Sequence, residues 1–270
     1  MIEKAAPLFF ALLLSAALAG SAAADELFFE DFESVILGPN VDETIVPEPN
    51  AWTGTPPAGW SVDNSGVPGF GTPDDGVTEW AGWSFADKDW WIAVAGDQRR
   101  SEFVLGIGNV AIADSDEWDD LPHADSAANG WFDTFMTTPN IDVVSGTTLT
   151  ISFDSSWRPE FDDNYHQTAN LIASFDVGSP LEVFLWESDT LSPNFKDAIP
   201  NERVDFDILV PAGATDVALT FGFFDAGNDW WWAVDNLAVD GEVPEPNASL
   251  MLVVGASMLL LRQRFRTGRR

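Results

Sequence analysis

Arginine, carboxylates and a histidine gather in one short stretch: Trp157-Arg158-Pro159-Glu160, then Asp162, Asp163, Tyr165 and His166. Such a set can carry general acid–base chemistry or hold an oxyanion. The rest of the sequence argues against a hydrolase built on it. Only two histidines occur, His123 and His166, and zinc or two-metal hydrolases want more imidazoles at regular spacing. Neither His-Glu-x-x-His nor Gly-x-Ser-x-Gly is present. Carboxylates are so frequent that no glycosidase pair stands out from the background. Arg158 therefore reads first as an ion-pair partner for nearby acids, with a hydrolase using the Arg158–His166 segment as the alternative. There is no cysteine, which excludes disulfide scaffolds, thiolate metal sites and cysteine nucleophiles.

Tryptophan is the second unusual resource, with 13 in the chain. Trp80, Trp83, Trp90 and Trp91 fall within 12 residues, and Trp230-Trp231-Trp232 are contiguous. On a strand, Trp230 and Trp232 point to one face and Trp231 to the other. Flat aromatic faces stack on sugar rings, and carboxylates or amides bond the hydroxyls. Trp157, Arg158, Glu160, His166 and Trp231 are accordingly the candidate ligand-binding set of a carbohydrate-binding module. The competing demand is the core, which large aromatics mostly fill when no disulfide helps. Most tryptophans are expected inside, with two or three lining a groove. Asp114-Ser115-Asp116-Glu117 with Asp119-Asp120 is an acidic concentration expected to be an ordinary solvated loop.

The elements that position these residues are short. From Asp25 to Glu242 no long helical periodicity appears. Runs of strand length recur instead, separated by Gly, Pro, Asn and Asp. Thr148–Asp154 alternates, with Leu149, Ile151 and Phe153 on one face; Asp216–Phe224 does the same with Val217, Leu219, Phe221 and Phe223. Many short strands with turn-rich connections predict an all-β chain, an antiparallel jelly-roll β-sandwich over 25–241. Lys88–Ala95 fits a short helix or a strand. Gly38–Gly76, rich in Pro, Gly and Asn, reads as a long irregular excursion on one edge of the sandwich.

The two ends carry different information. Residues 1–24 read as a secretory signal peptide, with Lys4 before the apolar stretch Pro7–Ala19 and small residues Ala22-Ala23-Ala24 at the cleavage position. At the other end Val243-Pro244-Glu245-Pro246 precedes an uncharged run, Ala248–Leu261, and then Arg262, Arg264, Arg266, Arg269 and Arg270. As a short hydrophobic helix that run spans about 21 Å, against roughly 30 Å of hydrocarbon. The arginines are the membrane stop and stay on the cytoplasmic side. Between the ends, residues 25–246 hold six basic and 43 acidic residues, a net charge near −37. That surface repels nucleic acid and favours divalent cations.

The order of parts in 242–270 resembles the PEP-CTERM sorting signal of bacterial envelope and matrix proteins. The resemblance implies an exosortase-type membrane protease as partner, with the membrane holding the chain until it is processed. Val46-Pro47-Glu48-Pro49-Asn50 repeats the motif, but no apolar run or basic tail follows it. In the body, Phe29-Glu30-Asp31-Phe32-Glu33, Pro56-Pro57-Ala58-Gly59-Trp60, Val110–Trp118, Thr137–Asp142, Leu149–Asp154 and Trp232–Leu237 follow one another in the order of the cleaved-adhesin, or choice-of-anchor J, family. That resemblance implies a galactose-binding-like jelly roll and a structural calcium between the acidic first strand and the Asp-Asn of the last. The matching positions are Glu30, Asp31, Glu33 and Asp235. The expectation is an exported cell-envelope or extracellular-matrix adhesion module without enzymatic activity. Its outward partners would be extracellular polysaccharide or another surface protein, and no nucleic acid.

Overall fold

The computed structural model describes residues 25–71, 75–121, 131–160, 166–227 and 229–243. The expected signal peptide, Pro244-Glu245-Pro246, the apolar run and the arginine tail lie outside the described residues. Val243 is the last residue described and is exposed. Among the described residues no helix is long and apolar enough to cross a membrane.

Among the described residues, thirteen strands build two sheets that pair antiparallel throughout. The first sheet contains β2 (Trp52–Thr53), β4 (Ser84–Asp87), β5 (Asn109–Asp114), β8 (Thr148–Trp157), β11 (Ile199–Leu209) and β13 (Trp231–Gly241), in the order β11-β8-β13-β5-β4-β2. β1 (Asp25–Glu30) completes it by pairing with the second half of β13, while β5 pairs with the first half. The second sheet runs β10 (Leu181–Glu187), β9 (Thr168–Phe175), β12 (Asp216–Ala226), β6 (Phe132–Thr137) and β3 (Ser61–Gly66). A two-residue β7 (Ile141–Asp142) adds to β12. The chain crosses between sheets from β5 to β6, β7 to β8, β8 to β9, and again through β11, β12 and β13. This is the jelly-roll pattern that the sequence predicts.

Alternation decides what is buried. Leu149, Ile151 and Phe153 of β8 and Val217, Leu219, Phe221 and Phe223 of β12 are all inaccessible between the sheets. Trp232 joins them, meeting Phe153, Phe184, Phe221 and Trp83. Trp231 points the other way. The outer face there is not open, because α1 (Lys88–Val94) covers it and sets Trp91 edge-on to Trp231 at 5.7 Å. The Lys88–Ala95 ambiguity thus resolves as helix: Asp87 caps it by accepting from the Trp90 N–H. The excursion before β3 reaches the edge of the first sheet through β2 and a bridge between Gly38 and Trp52.

Candidate functional site

Three groups of polar residues and one cavity stand out. The first group lies where β1 ends, β5 begins and β13 bends between them. Its backbone is unusual: Phe32 and Asn236 have positive φ (56° and 50°), as does Gly108 (63°). The Glu33 carboxylate accepts from the Asn109 N–H at 2.9 Å. Asn109 Nδ2 reaches the Phe32 and Val35 carbonyls at 3.3 Å each. Asp235, on β13, accepts from the Ile107 and Asn236 N–H groups. Burial pushes its carboxyl up to about 7, and the nearby charges of Asp154 and Glu33 push the same way. Glu33 and Asp235 thus flank one turn, accepting from the Asn109 and Ile107 N–H groups respectively. Glu30 and Asp31 instead turn back on the local chain, accepting from the Phe32 and Glu33 N–H groups. Among the described residues no three carboxylates or histidines converge as a ready-made metal cluster. The carboxylates and carbonyls of this junction each accept a hydrogen bond from the protein: Glu33 from the Asn109 N–H, the Phe32 and Val35 carbonyls from Asn109 Nδ2, and Asp235 from the Ile107 and Asn236 N–H groups.

The second group corrects the sequence reading. Asp114, Ser115 and Glu117 are buried, not solvated. The α2 turn (Ser115–Trp118) packs them around Arg100, whose side chain is wholly inaccessible. Arg100 contacts Asp114 and Glu117 at 2.8 Å and Asp116 at 3.4 Å. Its guanidinium lies 4.2 Å over the Trp231 ring and 5.5 Å from Trp91, whose indole N–H donates to Asp114. Three acids share one cation. Burial, then the Asp114 charge, raises Asp116 to about 6 and Glu117 to about 9. The sequence signal was available: Asp114 follows the apolar run Val110–Ala113 on its strand, so a side chain buried there had to be paired.

Of the expected ligand-binding set, Arg158, Glu160 and Trp231 lie together, with the Arg158 guanidinium 5.0 Å from the Trp231 ring and Gln167 bonding to all three backbones. Trp157 and Trp231 are fully buried, with indole N–H groups donating to the Lys196 carbonyl and to Ser156 Oγ. They offer no face for stacking, because both sides of β8 and β13 are covered. Arg158 is half-buried; its guanidinium sits 3.3 Å over Trp230 and donates to the Gln98 carbonyl. The ring, not an acid, is its main partner. The Glu160 N–H meets Gln167 Oε1. His166 Nδ1 lies 3.9 Å from Asp189. Asp162, Asp163 and Tyr165 lie outside the described residues. All 13 tryptophans but Trp52, Trp131 and Trp230 are buried.

The cavity, about 450 Å³, opens between the excursion and the β4 edge. Trp52, Phe70, Asn64, Asp75, Thr78, Glu79, Trp83 and Ser84 line it with Gly54, Gly71, Gly76 and Ala81. Glu79 organises one wall: Oε1 accepts from the N–H groups of Val41, of Asp42 at 2.9 Å and of Glu43 at 3.2 Å. Those bonds join the excursion to residues 36–38 positions later in the chain, a pairing that no local pattern signals.

No protein-family model matches the chain, and no curated protein matches it. Solved structures similar to it include the K3 cleaved adhesin domain of Lys-gingipain from Porphyromonas gingivalis W83. That match has 14% identity, covers 80% of this chain and 99% of that one, and has a TM-score of 0.38. An apo cyclase from Fischerella sp. matches at 15% identity, covering 82% and 98%, with a TM-score of 0.43. The CBM22-1-GH10 modules of a Clostridium thermocellum xylanase, complexed with xylohexaose, match at 10% identity, covering 80% of this chain and 28% of that one, with a TM-score of 0.37.

Proposed function

We propose that this chain is an exported envelope or matrix protein whose sandwich is an adhesion or binding module. The signal peptide 1–24 carries it outward. The motif Val243–Pro246, the run 248–261 and the arginines from Arg262 onward retain it at the membrane for an exosortase-type protease. The observation that carries the binding reading is the cavity between the excursion and β4, a recess with aromatic and polar walls of the size that small-molecule sites occupy. Calcium is the cation we assign to the β1–β5–β13 junction, with Glu33 and Asp235 as the carboxylates that would hold it. Bound there, it supplies positive charge that ties the first strand to the last. The carbohydrate-binding alternative is favoured by the half-exposed Trp52 at that same recess. The experiment uses the full-length protein in an exosortase-bearing bacterium, with protease added to intact cells and mass spectrometry of the mature C-terminus. Digestion of the sandwich from outside and a C-terminus near Pro246 support the proposal. A protease-protected chain ending at Arg270 overturns it.

A further inference from the structure

One motif is written twice in this chain. Val46-Pro47-Glu48-Pro49-Asn50 and Val243-Pro244-Glu245-Pro246-Asn247 agree at all five positions. A partner whose side chains read one copy can read the other, provided the fold leaves it accessible. The first copy meets that condition. Pro47, Glu48, Pro49 and Asn50 are exposed in succession. Val46 before them packs against the core, and Ala51 after them is wholly buried. The Glu48 side chain enters no hydrogen bond or ion pair among the described residues, so its carboxylate is open to a partner.

The loop is held in shape before any partner arrives. Trp90 Nε1 donates to the Val46 carbonyl at 3.0 Å. Asn40 grips Glu48 twice: its Oδ1 accepts from the Glu48 N–H at 2.7 Å, and its own N–H donates to the Glu48 carbonyl at 3.3 Å. The Ala51 N–H closes the loop on the Gly38 carbonyl at 2.8 Å. Both prolines fix their own φ. Little is left to order on binding, which favours affinity. The same bonds keep the loop from being a substrate. From Pro47 to Pro49 no backbone N–H is free, since prolines carry none and that of Glu48 is spent on Asn40. The segment cannot be drawn out to pair as an added strand. Nor does an apolar run follow it to bring it to the membrane.

We propose that Val46–Asn50 is a second docking epitope for the exosortase-type protease that reads Val243–Asn247, engaged through the side chains of Pro47, Glu48 and Pro49 and not cut. The proposal rests on the sorting reading above and adds to it a contact on the folded sandwich. Two copies on one chain raise the local concentration of the motif at the protease. Once the terminal copy has been cut away, the sandwich still carries one.

The test is co-purification of the full-length protein with a tagged exosortase-type protease from detergent-solubilised membranes. Glu245→Ala disables the terminal copy, and that chain should still be recovered with the protease. Adding Glu48→Ala should lower the recovery about tenfold, the loss of one hydrogen bond to a charged group. Its melting temperature should match the parent, because the backbone bonds of Glu48 are kept. The free peptide Val-Pro-Glu-Pro-Asn should release the Glu245→Ala chain. Failure to recover that chain, or recovery indifferent to Glu48→Ala and to the peptide, overturns the epitope while a parent processed near Pro246 leaves the sorting reading intact. A cut between Val46 and Ala51, read by mass spectrometry, overturns it too. If the parent is neither recovered with the protease nor processed near Pro246, the sorting reading fails and the epitope with it.

Discussion

Replacing Arg100 by methionine removes the one cation that three acids share. The volume and the flat packing on Trp231 are roughly kept, so the loss is chiefly electrostatic. Taking one partner from a buried ion pair costs about 3–5 kcal/mol, and the stacking over Trp231 adds about 1 kcal/mol. For a domain of this length, about 4 kcal/mol lowers the melting temperature by roughly 8–16 °C. The pH dependence identifies the cause. In the intact protein Asp116 is raised from 3.8 to about 6. The folded state therefore holds a proton that the unfolded chain has released, and stability falls as pH rises from about 4 through about 6. Without Arg100 the folded cluster must hold more protons still. The deficit of Arg100→Met should then shrink as pH is lowered from 8 to 5, read by circular dichroism melts at each pH. Adding Asp114→Asn should return part of the loss at pH 8, since it removes an unpaired buried charge. A melting temperature within about 3 °C of the parent at pH 8, or a deficit that does not vary with pH, would refute the reasoning.

Calcium at about a hundred times its Kd should stabilise the protein by about 2.7 kcal/mol, several degrees in a thermal melt. An unchanged melting temperature in excess EDTA removes the site. Gly108→Ala should cost roughly 1–3 kcal/mol, because φ is 63° there and a Cβ would overlap the Glu33 carboxylate. It should also abolish the calcium effect, and a variant that melts like the parent with calcium intact shows that the junction is not tight. Arg158→Ala should cost only about 1 kcal/mol, the value of a half-exposed cation on an indole, and should change tryptophan emission through Trp230. A collapse of the fold would mean that Arg158 holds more than the ring.

The strands were legible because a half-buried strand writes its orientation into alternate residues, as β8 and β12 do. Alternation also placed Trp231 and Trp232 on opposite faces. It could not say that the outer face is itself roofed. α1 does that, and its seven residues are too few to show a helical stripe. Trp231 was lost as a ligand contact for this reason, whereas Trp157 packs between the sheets against Trp186 and Phe223. The acidic run at Asp114 was misread because its counter-charge, Arg100, lies 14 residues upstream, across α1's exit. At the first site the family resemblance implied Glu30, Asp31, Glu33 and Asp235 together. It did not reveal that Glu30 and Asp31 are spent on the turn that delivers Glu33. The cavity was least legible of all, since Glu79 acts through backbone amides of an excursion without periodicity.

The distribution of positive charge explains why an outward-facing role suits this surface. Only six basic residues lie between 25 and 246, and each is engaged internally. Arg100 is buried among acids, Arg158 lies on Trp230, and Arg203 bonds Asp154 and the Asn236 carbonyl. Lys88 reaches the Phe103 and Gly106 carbonyls, Lys196 pairs with Glu202, and Arg99 pairs with Glu102. Almost all the remaining charge that faces water is negative. Such a face repels an anionic polymer directly and meets it only through bridging cations. It leaves a neutral ligand indifferent to long-range charge, so recognition of one must come from shape and hydrogen bonds within a recess. The cavity beside Trp52 has that character, and it is lined by none of the six cations.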